Sequence, residues 1–150
     1  MENVAISQNT SEIELVTFSV CDQIFCLRIT EINEIRRWSP ITILPHAPAD
    51  VLGVMNLRGA VIPIYDLAAC FSLGTTEQGG RSVVIVSSVG EKSIGLLVDS
   101  VSEIISISSD EIQPTPDISS DGGLESILGV IAMEDTMVRV VNLSSVIADP

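Results

Sequence analysis

The residue types that most often carry out enzyme chemistry are scarce in this sequence. The single histidine, His46, lies in the segment Pro45-His46-Ala47-Pro48, without a neighbouring carboxylate or serine that would complete a triad. Two acidic pairs, Asp110-Glu111 and Glu134-Asp135, are conceivable as a general acid and base. Both fall in predicted loops or turns of a very acidic chain, where nothing withdraws one carboxyl group from water. We therefore expect no catalytic residues and a protein that is not an enzyme.

Ligand-holding motifs are also missing from the sequence. It contains no HExxH, Walker or GxSxG pattern and no paired Cys/His set, so zinc, nucleotide and acyl-transfer sites lack their usual spacing. The three cysteines, Cys21, Cys26 and Cys70, show no CxxC spacing and are predicted to be reduced, partly buried thiols. We expect neither a cofactor nor a metal.

The segment Asn56-Leu57-Arg58-Gly59 is the most distinctive local feature. As a hairpin turn, it uses Gly59 for a positive φ and leaves Arg58 exposed. The equivalent residue of an internal repeat, described below, is Glu134, so the turn itself does not require an arginine. Because a guanidinium can pair bidentately with a carboxylate, Glu34 is a candidate partner that would orient Arg58 for a binding surface.

Three further residues allow two interpretations each. Gly53 and Gly95 either relieve a bulge or tight bend, or let a partner helix approach the backbone closely. Trp38 is either a contact anchor or a partly buried loop aromatic. Their spacing does not decide between these roles.

The charge of the chain narrows the classes of partner. Its 150 residues carry a formal net charge of −13, with six arginines and one lysine against 20 acidic residues. So few cations leave little to neutralise phosphates or anionic lipids, so nucleic acid and membrane surfaces are poor partners, and we expect no nucleic-acid binding. A basic face on another protein is a better partner.

The first 14 residues lack the pattern of a signal peptide, and no apolar run approaches the roughly 20 residues of a spanning helix. We expect a cytoplasmic protein without direct membrane insertion.

An internal repeat divides the chain into two similar halves. Residues 20–35 match residues 89–104 at an offset of 69, and residues 53–67 match residues 129–143 at an offset of 76. Glu34 thus aligns with Glu103, and Arg58 aligns with Glu134. The seven extra residues fall in a polar stretch of the second half, residues 108–123, which is predicted to be a loop.

Each half is predicted to form about five short strands. The first three span Leu15–Val20, Ile24–Ile29 and Ile32–Arg36 in one half and Val83–Val89, Ile94–Val98 and Val101–Ile107 in the other. The fourth and fifth are joined at Arg58-Gly59 and at Glu134-Asp135. Short strands at this spacing indicate small closed barrels, one from each half. A short helix is predicted to end each half, capped by Asp66 or Asn142.

Several motifs follow one another in an order that is typical of one protein family. They are Asn56-Leu57-Arg58-Gly59 with Val61-Ile62-Pro63-Ile64-Tyr65-Asp66-Leu67, then Gly95-Leu96-Leu97-Val98-Asp99 with Val101-Ser102-Glu103-Ile104, and Glu111-Ile112-Gln113-Pro114. Over about Glu14 to Ile147, the chain resembles the CheW-like chemotaxis coupling proteins. The resemblance implies an all-β fold of two five-stranded SH3-like barrels packed around a shared core. The expected organisation is a flexible segment over residues 1–13 and one CheW-like domain over residues 14–150, with halves at about 14–71 and 82–147.

The resemblance also implies a function without catalysis and two binding surfaces. Such proteins bridge the cytoplasmic tip of methyl-accepting chemotaxis receptors and the regulatory domain of the histidine kinase CheA, at membrane-associated arrays. Carried over by position, the receptor surface would lie in a groove between the barrels and comprise Ile32, Glu34, Gly53, Arg58, Gly59, Gly95 and Val101. The kinase surface would be an exposed apolar strip around Ile41, Leu44 and Leu52.

Three alternatives stay open at this point. The same fold could couple receptors to a kinase in a pilus-linked or other chemosensory array. A small barrel protein could instead bind a metabolite between its halves. A small enzyme is the third alternative, against which the missing catalytic motifs stand.

Overall fold

The structure is a computed structural model, which describes residues 12–45, 51–76, 78–114 and 127–146. The described strands are β1 (Glu12–Val20), β2 (Gln23–Arg28), β3 (Ile32–Arg37), β4 (Val51–Leu57), β5 (Ala60–Asp66), β6 (Val83–Val89), β7 (Lys92–Val98), β8 (Ser100–Ser108), β9 (Ile127–Met133) and β10 (Thr136–Val141). The two short helices are α1 (Leu67–Cys70) and α2 (Leu143–Val146). The all-β prediction is therefore confirmed, with a short helix at the end of each half.

The boundaries differ from the predicted ones at a few places. β1 begins at Glu12 and pairs there with Ser108, so two residues of the predicted flexible segment, Glu12 and Ile13, belong to a strand. Two 3-10 turns, Ile29–Glu31 and Ser109–Glu111, were not predicted. His46 and Ile147 lie outside the described residues, as do residues 115–123 of the predicted polar loop.

The ten strands form two five-stranded sheets, but neither sheet comes from a single half. One sheet has the order β3-β6-β7-β5-β4 and the other β8-β1-β2-β10-β9. We call them the Arg58 barrel and the Glu134 barrel, after the residues in their β4–β5 and β9–β10 turns. Each barrel combines three strands of one half with a two-stranded hairpin of the other half. The prediction of one barrel per half was therefore wrong.

The pairing of the hairpins explains this exchange. The outer edge of β2 is occupied by β10 in a parallel pair, and the outer edge of β7 is occupied by β5 in the same way. The next strand of the chain finds no free edge there and continues into the other sheet. It crosses at the 3-10 turn Ile29–Glu31 and at Asp99, which are equivalent positions of the repeat.

Each barrel is closed by a segment that we call its closing segment, residues 38–45 after β3 in the Arg58 barrel and residues 109–114 after β8 in the Glu134 barrel. Thr42 pairs with Val54 on β4, and Gln113 pairs with Val130 on β9, through two 2.8 Å backbone hydrogen bonds in each case. A glycine lies beside each bridge. A Cβ at Gly53 would lie 2.2 Å from the carbonyl oxygen of Thr42, and one at Gly129 would lie 2.6 Å from that of Gln113. Only glycine therefore admits the closing segment.

The buried apolar side chains of the described residues form three clusters. One is shared by both sheets and includes Phe18 and Phe25 from the Glu134 barrel and Ile85 and Leu96 from the Arg58 barrel. The other two fill the interiors of the individual barrels. The predicted arrangement of two barrels around a shared core is confirmed.

A buried carboxylate joins α1 to the segment after it. The side chain of Asp66, which is 1% exposed, accepts hydrogen bonds from the backbone N–H groups of Ala68 at 3.1 Å and Thr76 at 3.0 Å. The predicted cap is therefore present, and it also anchors a second segment. At the equivalent position, Asn142 donates from Nδ2 to Ser145 Oγ at 3.0 Å.

None of the three cysteines is joined in a disulfide; Cys26 is buried, and Cys21 and Cys70 are half-buried. Burial raises the pKa of Cys26 to about 12 and, together with nearby Asp99, also raises the pKa of Cys21. Both shifts disfavour the reactive thiolate at neutral pH.

Within the described ranges, no helix is long and apolar enough to cross a bilayer.

Candidate binding site at the mouth of the Arg58 barrel

Arg58 projects from a tight turn between β4 and β5. Arg58 has φ +53° and Gly59 has φ +91°, the pattern of a two-residue type I′ hairpin turn. The backbone N–H of Gly59 donates to Asn56 Oδ1 at 2.9 Å, which fixes the turn. The predicted role of Gly59 is confirmed. A positive φ at a residue with a side chain is uncommon, yet Glu134 adopts φ +47° at the equivalent position.

Glu34 of β3 binds the Arg58 side chain at the end of the barrel that carries the β4–β5 turn. We call this end, with Glu34, Arg58 and Gly59, the mouth of the barrel. Arg58 donates to Glu34 Oε1 at 2.5 Å, and Arg36 donates to the other oxygen, Oε2, at 3.0 Å. The predicted partner is correct, but the pair is not bidentate, because Glu34 divides its two oxygens between two arginines. The Arg58 side chain stays 70% exposed. This arrangement orients a guanidinium toward solvent while one of its nitrogens is fixed.

The two arginines lower the pKa of Glu34 below its usual value of 4.5, with Arg58 the larger cause and Arg36 the second. A carboxyl whose folded-state pKa is lowered stabilises the fold above its unfolded-state pKa, and this contribution is lost as the pH falls through the folded-state pKa. The pair is therefore intact at neutral pH and breaks only in acid.

Replacing Arg58 by alanine is expected to raise the pKa of Glu34 toward 4.5, without reaching it because Arg36 remains. The measurement is an NMR titration of the glutamate side-chain carboxyl carbons. Arg37→Ala is the matched control, since it removes a neighbouring exposed arginine of β3 and leaves both partners of Glu34 in place. An unchanged Glu34 titration in Arg58→Ala would show that the pair does not form in solution.

Two glycines of the predicted receptor surface are buried. A Cβ at Gly95 would lie 2.5 Å from Ile64 Cδ1 and 2.9 Å from Val84 Cγ1, so this glycine admits core side chains between β5, β6 and β7. Gly53 admits the closing segment at Thr42. Both glycines therefore permit close packing within the chain, the first of the two interpretations given above. Their role as receptor contacts stays a prediction.

Ile32 and Val101 occupy equivalent positions at the start of β3 and near the start of β8. Both are half-buried and pack against the shared core. They lie where the two barrels meet, while Glu34, Arg58 and Gly59 lie at the mouth of the Arg58 barrel. Of the seven predicted receptor-surface residues, the structure brings Glu34 and Arg58 into direct contact.

The predicted kinase strip is only partly exposed. Ile41 and Leu52 are half-buried and pack against the core of the Arg58 barrel, as does Trp38, so the description of an exposed strip is wrong for Ile41 and Leu52. Leu44 is 42% exposed, and its neighbour Ile43 is 77% exposed. The exposed apolar residues of the closing segment are thus Ile43 and Leu44.

The sequence reasoning did not identify Arg36 and Ile43 as residues of these surfaces, and it did not predict the role of Asn56 within the turn motif. Arg36 lies two residues from Glu34 on the same face of β3, so strand alternation would have placed it beside that carboxylate. Asn56 precedes the turn by two residues, a position from which a side-chain oxygen can accept a turn N–H. The exposure of Ile43 carries no local signal, because it depends on which face of the closing segment meets Gly53.

The comparison with known families matches residues 14–150 to the CheW-like domain. The chain belongs to the CheW-like family. Among its relatives, the chemotaxis protein CheW of Rhizobium meliloti (strain 1021) is 48% identical over 146 residues, covering 97% of this chain and 94% of that protein. A probable chemotaxis protein CheW of Rhizobium etli is 43% identical over 143 residues, covering 95% and 92% of the two chains.

A solved structure of the CheW-like family supports the same fold. The scaffolding protein TtCheW from Thermoanaerobacter tengcongensis superposes with a TM-score of 0.81 at 29% identity, covering 87% of this chain and 84% of that one. Two five-stranded SH3-like barrels are therefore the architecture that this CheW-like chain shares with a crystallographically determined relative.

Proposed function

We propose that the protein is a non-catalytic chemotaxis adaptor, which couples methyl-accepting receptors to the histidine kinase CheA so that receptor state controls kinase autophosphorylation. It would act in the cytoplasm, at membrane-associated receptor arrays. Support comes from its family and from relatives that are named chemotaxis protein CheW or a scaffolding protein. Coupling of this kind is a free-energy linkage between two interfaces on one body.

The observation that carries the receptor assignment is the Arg58–Glu34 pair. An ion pair this exposed contributes little to folding, since solvent screens it. Its value lies in holding a guanidinium in one orientation with most of its surface free. Such a preorganised arginine is typical of a residue that dominates a binding interface. We place the receptor tip at Glu34, Arg58 and Gly59, flanked by Ile32 and Val101.

For the kinase, we propose the closing segment of the Arg58 barrel. Ile43 and Leu44 expose apolar side chains there, and Ile41 and Leu52 support them from the core. Exposed apolar residues that are adjacent in the chain mark a surface suited to another protein. This surface involves different residues from the Arg58 site, so one protein could engage both partners.

The test is a pulldown of a cognate CheA-type kinase and a receptor signalling-tip fragment, at low and moderate salt. Arg58→Ala is expected to bind the kinase as the wild-type protein does. It should weaken receptor binding by about 30-fold or more, the effect of losing an interface hot spot. Its denaturation midpoint should stay nearly unchanged, because the pair contributes little to folding. Arg37→Ala, which removes an exposed arginine of the same strand as Glu34, should keep both partners.

Two results would contradict the proposal. If the folded wild-type protein binds neither partner, the adaptor function fails. If Arg58→Ala and Arg37→Ala weaken receptor binding equally, then the overall positive charge and not the oriented guanidinium determines binding. In that case the receptor site is not at Arg58.

A further inference from the structure

The mouth of the Glu134 barrel is built like the mouth of the Arg58 barrel. In the Arg58 barrel, Glu34 follows a register shift between Ile32 and Glu34 on β3. Glu103 of β8 lies opposite the equivalent shift, between Thr17 and Phe18 of β1. Glu134 takes the place of Arg58 in the hairpin turn, with nearly the same φ. The two mouths thus have a similar backbone conformation, and each has a glutamate at the equivalent position.

The difference between the mouths is the missing cation. Arg58 is replaced by Glu134 and Arg36 by Ile105, so the two arginines that bind Glu34 have no counterpart beside Glu103. Asp135 adds another carboxylate in place of Gly59. In the part of the chain that the structure describes, no arginine or lysine forms an ion pair with these three acidic residues.

An open groove of about 390 Å³ lies at this mouth. The groove is lined by the acidic residues Glu103, Glu134 and Asp135 and by the apolar residues Ile24, Met133 and Val138. Val138 is buried in the barrel core, while Ile24 and Met133 are half-buried and pack against it. The groove therefore combines apolar and acidic side chains, a surface that complements a cation carried on an apolar stem.

The charge of the described residues of the Glu134 barrel favours the same kind of occupant. The described segments 12–31, 99–114 and 127–146 hold ten acidic residues and two arginines, a formal charge of −8. The described segments 32–45, 51–76 and 78–98 hold three acidic and five basic residues, a formal charge of +2. The acidic charge is thus concentrated on the Glu134 barrel, where it attracts a basic surface.

We propose that the mouth of the Glu134 barrel is a docking site for a partner protein that inserts an arginine flanked by apolar residues. The guanidinium takes the place beside Glu103 that Arg58 occupies beside Glu34, and the flanking apolar residues cover the half-buried Ile24 and Met133. This docking does not depend on which receptor or kinase binds at the Arg58 barrel.

The test uses the capped peptide Gly-Leu-Arg-Leu-Gly, titrated into the ¹⁵N-labelled full chain at low salt and followed by amide chemical shifts. We expect the largest shifts at Thr17, Ile24, Ser102, Glu103 and residues 133–138. A peptide with norleucine in place of arginine should bind at least about 10-fold more weakly, since it keeps the apolar stem and loses the charged hydrogen bonds.

Glu134→Arg provides the matched variant, because it supplies the missing cation within the chain. It should pair with Glu103 as Arg58 pairs with Glu34, and it should reduce peptide affinity about 10-fold or more. Asp110→Arg is the control, with the same change of charge on an exposed turn outside the groove. Glu103→Gln tests the same carboxylate without a change of sign and should also weaken binding.

Three outcomes would overturn the proposal. They are an absence of shifts in the groove at millimolar peptide, equal binding of the norleucine peptide, and equal weakening by Glu134→Arg and Asp110→Arg. The receptor and kinase pulldown of Arg58→Ala is unaffected by any of them, so the two proposals fail independently.

Discussion

Gly53→Ala is expected to destabilise the protein by about 3 kcal/mol, one of the two largest effects that we predict for a single substitution. The added Cβ would lie 2.2 Å from the carbonyl oxygen of Thr42, a backbone atom that cannot rotate away. Overpacking of this kind costs about 1 to 3 kcal/mol. A shift of the closing segment would also weaken the two hydrogen bonds between Thr42 and Val54, each of which contributes about 1 kcal/mol.

Thermal and chemical denaturation would measure this loss, which corresponds to a fall in Tm of about 6 to 12 °C for a chain of this size. Gly90→Ala is the control. Gly90 has φ +63°, but no atom of the described residues lies within 4 Å of an added Cβ, so that variant loses only the left-handed penalty of about 1 to 2 kcal/mol. If Gly53→Ala loses no more stability than Gly90→Ala, the closing segment does not approach β4 as described.

Asp66→Ala is also expected to cost about 3 kcal/mol. The substitution removes the cap of α1, which contributes about 1 kcal/mol. It also leaves the buried N–H of Thr76 without its acceptor, at a cost of about 1 to 3 kcal/mol. Both losses arise from one carboxylate, which ties the segment after α1 to the end of β5.

Asp66→Asn separates the two contributions, because the amide retains one oxygen as an acceptor. It is expected to lose about half as much free energy of unfolding as Asp66→Ala. Asn142→Ala, at the equivalent position of the other half, should cost about 1 kcal/mol, since Asn142 is only half-buried. Equal losses for Asp66→Ala and Asn142→Ala in chemical denaturation would refute the second anchoring role of Asp66.

The strands were predictable because each is short, rich in β-branched residues and bounded by turn residues. The repeat added that the two halves share one layout. It did not reveal that hairpins are exchanged between the barrels, because the pairings of β2 with β10 and β5 with β7 join residues far apart in the chain. The residue pattern of a strand reflects its local β-propensity and which side chains are buried. It does not specify which distant strand it pairs with.

The candidate site was predictable to a similar extent. Comparison of Arg58 with Glu134 indicated that the turn did not need an arginine, and Glu34 proved to be its partner. The roles of Gly53 and Gly95 depend on atoms of Thr42, Ile64 and Val84, which only the tertiary structure brings near. For the same reason the sequence did not show that Ile41 and Leu52 face inward while Ile43 faces outward.

The exchange of hairpins has a consequence for the order in which the chain can fold during synthesis. β1 lies between β2 and β8, and its first residue pairs with Ser108, so one side of β1 stays unpaired until β8 has left the ribosome. The Arg58 barrel, whose last strand is β7, can close first. The Glu134 barrel must wait for β10, close to the end of the chain. Its early strands, which include the buried Phe18 and Phe25, are therefore the segment that a nascent chain exposes longest to chaperones.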